Sequence, residues 1–161
     1  MQNYLNCIGK YLTEEKTGKK IALIIDLIFN PDNGKLLAVL ANNNKIVLYE
    51  NISTWKINIY IKSSILMNSI EETSNIAAIL NKKISILGNK IKTESNTFLG
   101  YCENIIFDEK IGLLTSIIGR KYFLGFIPLK KFPINYSNIV KIEKDQIVVK
   151  GTEIKEAIRE I

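Results

Sequence analysis

Residues 8–34 read IGKYLTEEKTGKKIALIIDLIFNPDNG, and residues 87–112 read LGNKIKTESNTFLGYCENIIFDEKIG. Each stretch opens on an apolar residue followed by glycine, Gly9 or Gly88. Each continues with a short alternating segment, Lys10 to Thr13 or Asn89 to Thr93, then a polar turn and a second apolar strand. That strand ends in Ile28-Phe29-Asn30 or Ile106-Phe107-Asp108, and four residues later comes Gly34 or Gly112. The glycine-to-glycine interval is 25 residues in one stretch and 24 in the other. A third apolar strand follows in both, Lys35 to Ala41 and Leu113 to Ile118. An ordered series of turns and strands that matches with one residue of slippage points to an internal duplication.

The strand reading rests on runs of Val, Ile, Phe and Tyr bounded by Gly, Asn, Asp and Pro. Asn30-Pro31-Asp32-Asn33-Gly34 is a strong turn, since Pro presets φ, Asp and Asn bond their own backbone, and Gly accepts positive φ. Asp108 to Gly112 has the same length and keeps only the closing glycine. Later strands are expected at Lys45 to Tyr49 and Asn58 to Lys62 in the first half. In the second they fall at Tyr122 to Pro128, Ile139 to Ile142 and Gln146 to Lys150, the last two joined as a hairpin around Glu143 to Gln146. Five short antiparallel strands per half leave edges that closure into a small barrel would remove.

Residues 66–83 change character. Asn68-Ser69-Ile70-Glu71-Glu72 resembles a capped helix start, and Ile70, Ile76, Ala77, Ile79 and Leu80 recur at helical spacing. A short linker helix is expected there. Thr152 to Ile161 places Ile154, Ala157, Ile158 and Ile161 on one face, the pattern of an amphipathic C-terminal helix. The expected organisation is a first repeat over 1–65, a helical linker over 66–83, a second repeat over 84–151 and a C-terminal helix over 152–161. Gly9, Gly34, Gly88, Gly100 and Gly112 are its structural turns.

Composition narrows the function. The chain has 161 residues, 47% of them hydrophobic, so a packed core is expected and global disorder is not. The net charge is +6, which permits contact with nucleic acid, ribosomes or anionic lipid. The basic runs stay short (Lys19-Lys20, Lys82-Lys83, Arg120-Lys121, Lys130-Lys131), below what a nucleic-acid arm requires. Cys7 and Cys102 stand without histidine or a ligand cluster, so no zinc site is expected. They could pair, although isolated buried thiols in a reducing cytoplasm are the favoured reading. The N-terminus lacks the pattern of a signal peptide, and the longest apolar run, Ile21 to Phe29, is broken by Asp26.

No His-based catalytic pair, phosphate loop or dinucleotide fingerprint is present, and no cofactor is expected. Asp26, Asp32, Asp108 and Asp145 fall in or beside turns and are read as turn formers. Asp26 lies among Ile and Leu, so it is expected to accept bonds from backbone N–H groups at a barrel corner, because an unpaired buried charge costs several kcal/mol. The best binding hint is aromatic. Tyr101, Tyr122, Phe123, Phe126, Phe132 and Tyr136 concentrate in the second half, mixed with Arg120, Lys121, Lys130 and Lys131. Such a mixture fills a core, forms a protein hot spot or stacks single-stranded RNA. The candidate partner-binding set is Arg120, Lys121, Tyr122, Phe123, Lys130, Lys131, Phe132 and Tyr136.

At these residues the sequence resembles the PRC-barrel family, named for a subunit of the photosynthetic reaction centre. The first half supplies Gly9, Gly18, Asp26, Asn30 to Gly34 and Leu36 to Leu40. The second supplies Gly88, Leu99-Gly100, Asp108, Gly112, the strand near Ile127-Pro128, and Ile147 to Lys150. Ala22 replaces the glycine of the Leu-Gly step in the first half, and Asn104 stands in the second where the first has Asp26. The resemblance covers about residues 5–64 and 84–151. It implies a mainly β fold of two small antiparallel PRC-type barrels in tandem. It also implies a non-enzymatic role: an adaptor or scaffold that binds another protein, or a ribosome- or RNA-associated maturation factor using the basic aromatic face. Homo-oligomer formation is a further partner expectation.

Overall fold

The protein is seen here as a computed structural model that describes residues 1–151. In chain order, Gln2–Asn3 (β1) leads into one helical turn, Tyr4–Cys7 (α1), where the Asn3 side chain accepts the Leu5 N–H. The first half then runs through Tyr11–Glu14 (β2), Lys20–Phe29 (β3), Leu36–Ala41 (β4), Lys45–Leu48 (β5), Ile52–Trp55 (β6), Ile59–Ile61 (β7) and Met67–Ser69 (β8). Helix Ser74–Asn81 (α2) follows. The second half runs through Lys90–Thr93 (β9), Phe98–Asp108 (β10), Leu113–Phe123 (β11), Ile127–Asn135 (β12), Ile139–Ile142 (β13) and Gln146–Val149 (β14).

The strands form two sheets, one of them a half-barrel, so the chain is mainly β. The first sheet is ordered β6-β7-β2-β3-β4-β5-β8, and the second β13-β14-β9-β10-β11-β12, with β1 added beside β10. The first six positions follow the same sequential order in both sheets. Each sheet has one parallel pair, β2 with β7 and β9 with β14, among otherwise antiparallel neighbours. Short 3-10 turns, Tyr49–Asn51 and Tyr136–Asn138, occupy matching places after β5 and β12.

The sheets meet through matched turns. The Leu36 N–H donates to the Gly112 carbonyl at 2.8 Å, and the Leu114 N–H to the Gly34 carbonyl at 2.9 Å. Both glycines have positive φ, +68° and +64°. A Cβ on Gly34 would sit 2.8 Å from the Tyr136 ring, and one on Gly112 2.7 Å from the Tyr49 ring. Glycine is therefore needed for space as well as for backbone conformation. Behind these turns, Phe107 meets Phe29 edge-on at 5.6 Å and Trp55 at 5.3 Å. One hydrophobic core runs from Leu12, Val39 and Ile59 in the first sheet to Ile91, Ile117 and Ile147 in the second. Residues 2 and 3 pair with Phe107 and Ile106, so the chain's start is stitched into its second half.

The linker differs from its sequence reading. Met67–Ser69 is a strand on β5, and helix begins only at Ser74. The Ser69-x-x-Glu72 signal does form its local bond, with the Ser69 N–H donating to Glu72 Oε2 at 3.0 Å. Pairing of Lys45 to Val47 with residues 67–69 outcompetes a helical continuation. The helix packs Ile76, with Ile79 and Leu80, over Ile28, Ala38 and Ile46 on the back of the first sheet. A second correction concerns Tyr122 to Pro128, read as one strand. It contains a reversal over residues 124–126 that separates β11 from β12. β6 was likewise unread, so the first half has a strand between Tyr49 and Asn58. The expected C-terminal helix lies outside the described residues.

Candidate interaction arm

The β4–β5 hairpin ends at Ala41 and turns within Asn42-Asn43-Asn44. Its counterpart, β11–β12, continues well past the equivalent pair, Gly119 with Phe132. The continuation, residues 120–131, is an arm closed by Leu124 and Gly125, with φ of 52° and 80°. The Phe126 N–H donates to the Phe123 carbonyl across the turn at 3.3 Å. Two successive positive-φ residues match the right-handed twist of the flanking strands. Leucine is a costly occupant of such a position.

The arm's root is built by two close approaches. Gly100 has φ +154°, and a Cβ there would lie 2.4 Å from the Arg120 carbonyl oxygen, so β10 and β11 can touch only because it is glycine. Gly119 leaves room for the Phe132 ring, whose nearest carbon would be 2.4 Å from an added Cβ. Phe132 is consequently buried in the core. On the opposite face, Tyr101 stacks edge-on with Phe98 at 5.3 Å and tilts against Tyr122 at 6.4 Å. Beside this aromatic ladder, Glu103 holds Arg120 at 3.1 Å and Lys131 at 2.8 Å. Beyond it the tip is apolar and open: Phe123 is 56% exposed, Leu124 68% and Phe126 71%. Ile127 and Leu129 are exposed as well.

The candidate set from the sequence therefore divides. Arg120, Lys121, Tyr122, Phe123, Lys130 and Lys131 come together on the arm. Phe132 belongs to the core, and Tyr136 lies on the far side of β12, its ring over Gly34. Reading by residue type could not separate these from the arm, since inward and outward aromatics differ only in the face their register gives them. Phe98, Leu124, Ile127 and Leu129 were missed. The signal for the last three was an apolar run, Phe123 to Leu129, carried straight across a glycine, whereas Phe98 had none.

Other chemistry is engaged elsewhere. Asp26 Oδ1 accepts the Tyr4 hydroxyl at 2.6 Å and the Leu27 N–H at 2.7 Å, the corner bonding expected of it. Burial and then the Asp26 hydrogen bond push the Tyr4 phenol well above its usual range. Asn104 repeats the pattern: its Oδ1 accepts the Ile105 N–H at 2.9 Å, and its amide donates to Asn3 Oδ1 at 2.7 Å. Both residues sit at register shifts in β3 and β10. A cleft of about 270 Å³ lies between β3 and the segment after α2, lined by Asp26, Tyr4, Ile79, Leu80 and Ile84. Asp108 accepts the Lys110 N–H within its turn. Cys7 and Cys102 are free and buried, and burial pushes their thiols up to about 11 and about 12. No helix among the described residues is long and apolar enough to cross a membrane.

No protein-family model matches this chain, and no curated protein matches it.

Proposed function

We propose that this chain is a tandem PRC-barrel protein of the cytoplasm, a non-catalytic adaptor that binds another protein through the face of the β11–β12 arm. The family reading is supported by the recurrent strand order, the parallel closing pair in each half and the glycines at matched turns. On this reading each sheet is one barrel unit, and the shared core joins the two. Free buried thiols suit a reducing compartment.

The observation that carries the binding reading is the Phe98–Tyr101–Tyr122 ladder on the face of β10 and β11, next to the terminal strand β12. Tyrosine and arginine in a partly desolvated cluster are the residues that dominate protein interfaces. β12 is the terminal strand of its sheet, and its Pro128 and Pro133 occupy the kind of edge position where a missing N–H is tolerated. Glu103 engages both Arg120 and Lys131 within the chain, and this mix of charge and aromatic rings suits a protein partner of mixed polarity.

The experiment is affinity capture with the full chain and with Tyr101→Ser/Tyr122→Ser, followed by reconstitution with the purified partner. The expected result is a nuclease-resistant complex that tolerates moderate salt and is lost in the double variant. Loss of the complex on nuclease treatment, with steep salt dependence, would replace the protein reading with RNA. Equal capture by both chains would remove the ladder from the interface.

A further inference from the structure

Independently of the ladder, we infer that the arm's tip docks on an anionic phospholipid bilayer. Successive strand residues point to opposite faces, so Phe123, Ile127 and Leu129 take one face of the hairpin end and Tyr122 and Pro128 the other, with Leu124 and Phe126 in the turn between them. Phe123 and Leu124 complete an apolar knob. A flat protein surface would cover only one of those faces, whereas insertion covers both.

Cations stand behind the knob. Lys121 and Lys130 are exposed and make no ion pair among the described residues, while Arg120 and Lys131 sit one step further back on Glu103. From Lys121 to Leu124 is three strand-like steps, about 10 Å at ~3.3 Å each. Interfacial segments bury their apolar face roughly 5–10 Å into the headgroup and acyl boundary. The two unpaired lysines therefore fall at the depth of lipid phosphates when the knob is immersed. The Phe126 N–H is already bonded to the Phe123 carbonyl across the turn, so that pair adds little to the cost of leaving water. The net charge of +6 adds long-range attraction to an anionic surface.

The test is co-sedimentation of the full chain with vesicles of phosphatidylcholine alone and of phosphatidylcholine with phosphatidylserine. The wild-type chain is expected to pellet with the anionic vesicles and to be released by salt. Leu124→Asn/Phe126→Ser should abolish pelleting without lowering the melting temperature, since asparagine tolerates the φ of residue 124. Lys121→Gln/Lys130→Gln should weaken partitioning about 30-fold, from ~1 kcal/mol per lysine. Phe126→Trp should show blue-shifted emission only with anionic vesicles. Wild-type chain that stays in the supernatant would overturn the inference. So would pelleting that survives Leu124→Asn/Phe126→Ser. A purified protein complex that needs Phe126, with vesicles ignored, would assign the knob to a protein pocket instead.

Discussion

The β4–β5 and β11–β12 hairpins occupy the same place in their sheets and have opposite fates. The first turns after Ala41 in three asparagines, its outer edge is filled by β8, and its back is covered by α2. The second runs on to Leu124, ends its sheet at β12, and leaves Phe123, Leu124 and Phe126 in solvent. A hairpin whose edge and back are covered serves stability. One that extends beyond its core with apolar side chains, against the usual blunting of sheet edges, is held for contact. On the proposed reading, the first half scaffolds and the second makes the contact.

The contrast can be broken first at the seam the halves share. Phe107→Ala removes the ring that meets both Phe29 and Trp55 and should cost about 3–5 kcal/mol. Urea unfolding of the variant should remain one transition, because the core is continuous. Two separated transitions would show halves that unfold independently. Next come Gly34→Ala and Gly112→Ala, each forced against a tyrosine ring at positive φ. Each should lose about 2–4 kcal/mol by the same measurement. Unequal losses would mean that the two turns are not equivalent. Asp26→Ala should cost about 1–3 kcal/mol by leaving the Leu27 N–H and the Tyr4 hydroxyl unpaired, and Asn104→Ala should lose a similar amount at the matching corner.

The smallest effect belongs to the arm. Leu124→Gly should stabilise the protein by about 0.5–1 kcal/mol, since a leucine at φ 52° is strained. A leucine kept there despite its conformational cost fits a side chain retained for binding. Destabilisation on Leu124→Gly would instead mean that the residue packs against the fold.

Much of the frame was legible from turns. Asn30 to Gly34 and Asp108 to Gly112 announced themselves through glycine and side-chain bonds to nearby backbone, and β3, β4, β10, β13 and β14 followed from apolar runs between them. Asp26 could be placed at a corner because burying an unpaired carboxylate is costly. The arm's reversal was hidden, because Leu124-Gly125 carries no polar residue and its signal is a backbone angle. The linker misled for a different reason. Its local capping bond forms, but pairing of Met67–Ser69 with β5 is a long-range gain that no local pattern records. Phe132 and Tyr136 could not be separated from the arm by composition, since only register tells which face each takes.

The most direct test grafts the Asn42-Asn43-Asn44 turn between Gly119 and Phe132, in place of residues 120–131, so that the second hairpin copies the first. Binding of this chain to the nuclease-resistant protein partner is then measured beside its unfolding midpoint. The expected result is a folded protein whose midpoint matches wild type and which no longer binds. Wild-type affinity in the grafted chain would contradict the assignment of contact to the arm.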